Sequence, residues 1–252
     1  MNIYDEDELD KLEEEEHAIA EALLLLMFLH LTDTHKELET ELRAFYQEYG
    51  KDGVITYAEA RKWISRKNHK RRITHLLYLV SGYFIALKKN LTIEFSKLID
   101  QVLDKEIEFF DVDIDEIDMK WGSDNLTWFE RLADDVILWQ SIISADLKRA
   151  FHKRQHLDEL LETLDKRFIS MEKVLTKLGL TETTAAGSLA RKEAFKELGV
   201  TKYRFYARED ERTCDECGSL HGLTFPISAY EVGVTASPIH AHCRCWEVPI
   251  RE

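Results

Sequence analysis

Apolar residues recur at steps of three and four through most of the first 200 positions, and no proline interrupts them before Pro226. That period marks helices that bury one face. The spacing predicts a long helix over about 5–31, a break with a new N-cap at Thr32-Asp33-Thr34, and a further helix to about Tyr49. From Ile73 the positions Leu77, Val80, Phe84, Leu87, Leu91, Phe95, Leu98 and Val102 trace another long helix, with Gly82 a tolerated weak point. Trp121-Gly122-Ser123 leads into a helix bearing Phe129, Leu132, Val136, Trp139, Ile143 and Leu147. After a turn near 153–156, Leu157, Leu161, Leu164, Phe168, Met171, Leu175 and Leu178 form a seam for helix packing, which Gly179 is expected to stop. A last helix over about 184–198 ends at Gly199, the usual place for a C-terminal glycine.

Beyond Gly199 the period changes to two. Lys202-Tyr203-Arg204-Phe205-Tyr206-Ala207 alternates and is aromatic, and Trp246, Val248 and Ile250 alternate again, so both stretches read as strands. The fold class is therefore mainly α: a long-helix N-terminal body with a small C-terminal α+β module that carries the zinc signal below. Three regions follow, 1–120, 121–199 and 200–252, with the last packed on the helices because no low-complexity linker precedes it.

Charge narrows the partners. With 34 Lys and Arg against 48 Asp and Glu, the net charge of −14 argues against a general nucleic-acid coat. The exception is a basic island of Arg61, Lys62, Arg66, Lys67, Lys70, Arg71 and Arg72, with Trp63 among them. It offers a contact for DNA or an acidic protein surface, although a solvated corner between helices is the favoured account of the same residues. The acidic run Glu13, Glu14, Glu15 and Glu16 reads as a solvated helix face. The apolar run from Ala22 to Leu31 is short of the roughly 20 residues of a bilayer span. The acidic start is unlike a secretory signal, which points to a reducing compartment where paired cysteines bind metal rather than one another.

Two stretches imitate calcium loops. In the first, Gly53, Ile55 and Glu59 fall at suitable positions, but Gly50 stands where a ligand is needed. Gly50 and Gly53 as a turn, with Thr56 and Glu59 as a capping box, explain the same residues. In the second, Asp111, Asp113 and Asp115 alternate, but Glu116 and Gly122 occupy the wrong places, so an acidic loop is expected.

All four cysteines and all three prolines lie in the last 40 residues. Cys214-Asp-Glu-Cys217 and His240-Ala-His242-Cys243-Arg-Cys245 stand 22 residues apart and form two clamps for one tetrahedral Zn²⁺. Two registers complete the site, His240 with Cys243 or His242 with Cys245, and the spacing does not choose between them. A pairing of Cys243 with Cys245 spans poorly, because residues two apart on a strand point the same way. A closed four-ligand site is structural. An open one would be catalytic and would draw on Asp210, Glu211 or Glu216 as base and His221 as proton shuttle. Nothing in the spacing singles out a base, so the structural site is favoured and no catalytic or organic-cofactor residue is assigned. Asp210 and Arg212 are expected to brace the loop, and His221-Gly222 to form a surface turn.

These residues carry a resemblance. Ala190 to Phe205, then Asp210-Glu-Arg212-Thr213-Cys214-Asp-Glu-Cys217-Gly-Ser-Leu220-His-Gly222, Phe225-Pro226, Gly233-Val234, Pro238-Ile-His240 and Cys243-Arg-Cys245 resemble the phage Mu F-like head morphogenesis family. The match covers roughly 185–250, with a looser likeness from Trp121 onward and at the turn over 49–60. Ala241 and His242 depart from the usual Pro-Asn, Ser237 from the first of two prolines, and His221 from an acidic residue. The change at Ser237 is expected to loosen the turn before His240. By family position the resemblance favours Cys214, Cys217, His240 and Cys243 as ligands of a structural zinc, with His242 and Cys245 as alternates.

The resemblance further implies a minor capsid protein of a tailed phage, made in the host cytoplasm and present in several copies inside the head near the portal vertex. Its implied partners are the portal protein, the capsid protein and, at the basic island, packaged DNA. Its implied role is in head assembly and genome packaging or delivery. Two other classes compete with it: a zinc-dependent nuclease or hydrolase using His221 with His240 or His242, and a helical adaptor with a zinc knuckle.

Overall fold

The computed structural model describes residues 6–55, 71–114 and 116–250. Four long helices dominate: α1 (Glu6–Tyr49), α2 (Arg71–Phe110), α3 (Trp128–Lys153) and α4 (Leu157–Glu197). A three-stranded antiparallel sheet follows, with β1 (Lys202–Tyr206) between β2 (Thr224–Pro226) and β3 (Trp246–Ile250), and a short helix α5 (Asp215–Leu220) connects β1 to β2. The chain is thus mainly helical with a small C-terminal strand region. Thr56, Glu59 and the basic island lie outside the described residues, apart from the backbone of Arg71 and Arg72 at the start of α2.

Two expected breaks are absent. α1 runs unbroken through Thr32-Asp33-Thr34, because Leu31 and Leu38 on either side are buried and continue the helical period. Tertiary burial outweighs the weak helix propensity of three residues. α4 likewise passes through Gly179, where a Cβ would lie 2.8 Å from Leu24 Cδ2 of α1. The glycine is there for close helix packing. Other expectations hold. Thr127 and Glu130 cap α3 reciprocally, Glu130 N–H donating to Thr127 Oγ1 at 3.3 Å and Thr127 N–H to Glu130 Oε2 at 2.8 Å. Gly199, at φ 65°, closes α4 with Val200 N–H bonding to Phe195 O and Gly199 N–H to Lys196 O.

Residue contacts divide the chain into two compact units. The second unit comprises Leu26–Ile93 and Leu132–Val174. Its buried residues are those of the sequence seams, such as Leu38, Val80, Phe84, Trp139, Ile143, Leu164 and Phe168. Asp52 (φ 56°) and Gly53 (φ 74°) form a tight turn between Lys51 and Val54, and a side chain at Gly53 would collide with the His156 ring. That fits a structural turn and no calcium loop.

The first unit comprises Met1–Leu25, Glu94–Arg131 and Leu175–Glu252. Leu9 and Leu12 of α1, Phe110 of α2, Ala185, Leu189 and Phe195 of α4 and Tyr203, Trp246 and Val248 of the sheet share one core. α4 is buried at every position from Thr181 to Arg191. Its threonines satisfy their hydroxyls on backbone carbonyls one turn back, Thr181 on Lys177 O and Thr183 on Gly179 O. The loop between α2 and α3 is pinned to the same helix, with Trp121 Nε1 donating to Glu182 Oε2 at 2.9 Å and Arg131 to Glu182 Oε1 at 3.0 Å.

The acidic run of α1 is not simply a solvated face. Glu14 and Glu15 are exposed, but Glu13 (2%) and Glu16 (0%) turn inward. Around them lie Glu106, Arg191 and Glu247, each 0% exposed. Arg191 bonds both oxygens of Glu106 and reaches Glu13 Oε1 at 3.2 Å and Glu247 Oε2 at 3.4 Å. One cation therefore pairs with three of the four buried carboxyls, and this assembly joins α1, α2, α4 and β3.

Among the described residues α1 alone is long and apolar enough, over an 18-residue window of mean hydropathy 1.3, to cross a bilayer by composition. Leu23, Leu24, Met27 and Leu31 of that stretch are buried in the fold, while Leu25, Leu26 and Leu29 are exposed. Such a helix does not establish a membrane span.

Candidate metal centre

The two clamps are built on different elements. Cys214 caps the N-terminus of α5, its sulfur accepting from Cys217 N–H at 3.3 Å, so both sulfurs stand on the first turn. The second clamp lies on a turn leading into β3, closed by Cys243 N–H to His240 O at 3.2 Å. Thr184 Oγ1 of α4 donates to Cys243 O at 3.1 Å and anchors that turn to the helix.

Five donors meet here as two triads that share Cys217. Cys214, Cys217 and His240 form one, and Cys217, Cys243 and Cys245 the other, with the donor atoms of each within 4.8 Å of one another. Cys217 Sγ lies 3.2 Å from His240 Nε2 and 3.8 Å from Cys243 Sγ. Two sulfurs on a tetrahedral zinc with bonds of about 2.3 Å stand about 3.8 Å apart, so that edge already has the required length. His240 Nδ1 lies 2.8 Å from Ala241 O. A proton held there leaves the Nε2 lone pair facing the sulfurs, the tautomer a metal ligand needs. Cys214, Cys217, His240 and Cys245 also line a cavity of about 20 Å³, room for one ion.

His242 belongs to neither triad. It takes a left-handed conformation (φ 60°), its N–H bonds Thr181 Oγ1 at 3.3 Å, and burial, then Lys177 and His240, lower its pKa. Cys243 and Cys245 do point the same way, and for that reason both sulfurs reach Cys217. The change at Ser237 does not loosen the turn. Ser237 is fully buried, its N–H donates to Glu247 Oε1 at 2.7 Å and its hydroxyl meets Ser188 Oγ at 2.8 Å. A proline there would lose that donor.

The electrostatics suit a cation. Hydrogen bonds from Cys217 and Cys245 lower the Cys243 pKa, while bonding to Cys243 and burial raise those of Cys217 and Cys245. Three crowded sulfurs hold one negative charge between them, and a divalent ion at their centre would let all of them ionise. Burial opposes the His240 cation, but the Ala241 carbonyl and the nearby thiols outweigh it and raise its pKa.

The residues considered for catalysis have other tasks. His221 caps α5 through its N–H, and its Nδ1 accepts from Ala207 N–H at 3.2 Å. Asp210 is exposed, and the Arg244 guanidinium, followed by Arg212 N–H, holds its pKa down to about 2. It thus braces the loop as expected, with the Arg244 side chain as partner at 2.7 Å and Arg212 contributing only its backbone. Glu211 and Glu216 are exposed. The sequence pattern did not flag His17 of α1 or Arg208. Burial and the charges of Arg208 and Arg244 depress the His17 pKa, with the Cys243 sulfur acting in the opposite sense. Arg208 pairs with Asp10 and Glu14 of α1. These contacts join residues about 200 positions apart, which no local motif reveals.

Residues 141–248 match the family model described as Phage Mu protein F like protein. Over that stretch the chain is similar to the phage Mu F-like family. The family suggests a phage head morphogenesis protein, and hence capsid-related partners and a place in the virion. It is a structural family, in keeping with a protein that is not an enzyme. The phage Mu F-like segment takes in the end of α3, all of α4, the sheet and both clamps. No curated protein and no solved structure matches the chain.

Proposed function

We propose that this protein is a minor capsid protein of a tailed phage, bound at the portal vertex inside the head, where it assists head assembly and genome packaging or delivery. The observation that carries the reading is the phage Mu F-like match over residues 141–248. The metal centre fits it as a structural device. One Zn²⁺ is held by Cys214, Cys217, His240 and Cys243, with Cys245 the nearer alternate, and the ion locks a module whose own core is small. The basic residues Arg61, Lys62, Arg66, Lys67, Lys70, Arg71 and Arg72 supply the place where a protein of net charge −14 meets DNA or the portal.

Two measurements test this. Elemental analysis of the purified chain should find one zinc, and Cys214→Ala should lose it together with the protection of the 202–250 backbone against hydrogen exchange. A full complement of zinc in that variant would overturn the ligand assignment. Particles made without the protein should package or deliver less DNA, and its absence from purified virions would end the capsid reading.

A further inference from the structure

The polar assembly at the centre of the first unit is built around Gly187. A Cβ there would lie 2.8 Å from Glu16 Oε2 and 3.2 Å from Glu106 Oε1, so both carboxyls converge on the one position of α4 that gives them space. Arg191 follows one helical turn later.

Donors decide which carboxyls carry charge. Glu106 receives two guanidinium N–H groups from Arg191. Glu247 receives Ser237 N–H, the Ser188 hydroxyl and a third Arg191 N–H, with Tyr230 Oη 2.9 Å away. Both are well supplied with donors, which oppose the rise that burial imposes on their pKa values. The two α1 acids are different. Neither oxygen of Glu16 has a donor, and Glu13 has one only at Oε1. The group facing Glu16 is the Glu106 carboxyl, whose own oxygens already take the Arg191 N–H groups. An ionised carboxylate without donors, away from water, is among the costliest groups a fold can hold. A proton on Glu16 removes the charge and supplies an O–H for Glu106.

The charge count agrees. Arg191 against Glu106 and Glu247 already leaves one net negative charge, and ionising Glu13 and Glu16 would raise that to three. The remaining titratable groups nearby, Tyr203 and Tyr230, are phenols held neutral by burial. Among the described residues no second cation faces the assembly.

We propose that Glu13 and Glu16 dock as neutral acids, and that their protons fasten the first part of α1 onto α4 and β3, making a clasp that opens when alkali removes them.

The titration runs in the same sense. Burial raises Glu13 from 4.5 to about 8, and burial with the Glu106 and Glu13 charges raises Glu16 well above its ordinary value. The folded chain therefore binds more protons than the unfolded chain. The stability these acids contribute is whole below about pH 4.5 and drains away as the pH climbs through about 8 and beyond.

Hydrogen exchange on the full chain tests the clasp. After correction for intrinsic rates, amides around 12–20 of α1 should open more readily as the pH rises from about 5 towards 8, by about tenfold per pH unit for each proton released on opening. Amides of α3 at 136–147 should stay level. In the double variant Glu13→Gln and Glu16→Gln the amide side chains donate at any pH, so the rise in α1 should vanish. A flat wild-type profile, or a double variant that keeps the wild-type slope, overturns the proposal. If the variant fails to fold, unfolding enthalpies of the wild type in buffers of different ionisation heat give the proton count at pH 7. Release of one or two protons supports the clasp, and release of none refutes it.

Discussion

The two halves of α4 solve one problem by opposite means. Over 157–175 the helix buries Leu161, Leu164, Phe168 and Met171 and leaves Glu162, Asp165 and Lys166 in water. Over 181–191 it is buried on every side, yet apart from Leu189 it is made of threonine, alanine, glycine, serine, one glutamate and one arginine. The first half gains stability from bulk on one face. The second gains it from closeness, because small side chains let α1, α2 and the C-terminal module approach on all faces. Burial in a helix can thus be signalled by large residues on a stripe or by small ones all round, and only the first has a period.

Removing the charge at the centre of the second half should have the largest effect. Arg191→Leu leaves the buried carboxyls without a counter-ion, and we expect a loss of about 3–5 kcal/mol in chemical denaturation. The first half should break differently. Leu164→Ala opens a cavity in the second unit, and about 3 kcal/mol should be lost, with exchange protection falling there rather than in the 202–250 region. Glycines give the smallest and most discriminating contrast. Gly187→Ala places a methyl against Glu16 and Glu106 and should cost about 1–3 kcal/mol. Gly82→Ala on α2, where a Cβ would meet nothing within 4 Å, should stabilise by about 0.5–1 kcal/mol. Equal effects at the two glycines would contradict the close-packing account of α4.

The same contrast explains what the sequence made legible. The seams in α2, α3 and early α4, the aromatic strands, the Gly199 stop and the two metal clamps all rest on local spacing, and they stand in the structure at the expected places. What escaped was long-range. Gly179 looked like a stop because nothing nearby announced Leu24. Glu13 and Glu16 looked solvated because the groups around them are remote in sequence, Arg191 lying 178 positions beyond Glu13. Ser237 looked like a weakened proline, and its worth depends on Glu247. The choice between ligand registers had the same root. His240 and His242 have identical spacing to a cysteine, and only the fold brings His240 Nε2 to 3.2 Å from Cys217 Sγ while leaving His242 outside both triads.

The division of the first unit has a consequence for synthesis. Its three segments, 1–25, 94–131 and 175–252, hold the acids of α1, Glu106, Arg191 and Glu247 far apart on the ribosome. Both segments of the second unit leave the tunnel before the last of these three. The second unit can therefore assemble while translation continues, whereas α1 must keep its inward-facing acids in water until β3 emerges. Until then Glu13 and Glu16 titrate as ordinary carboxylates. Closure of the first unit is then a late event that takes up protons, timed by the last strand.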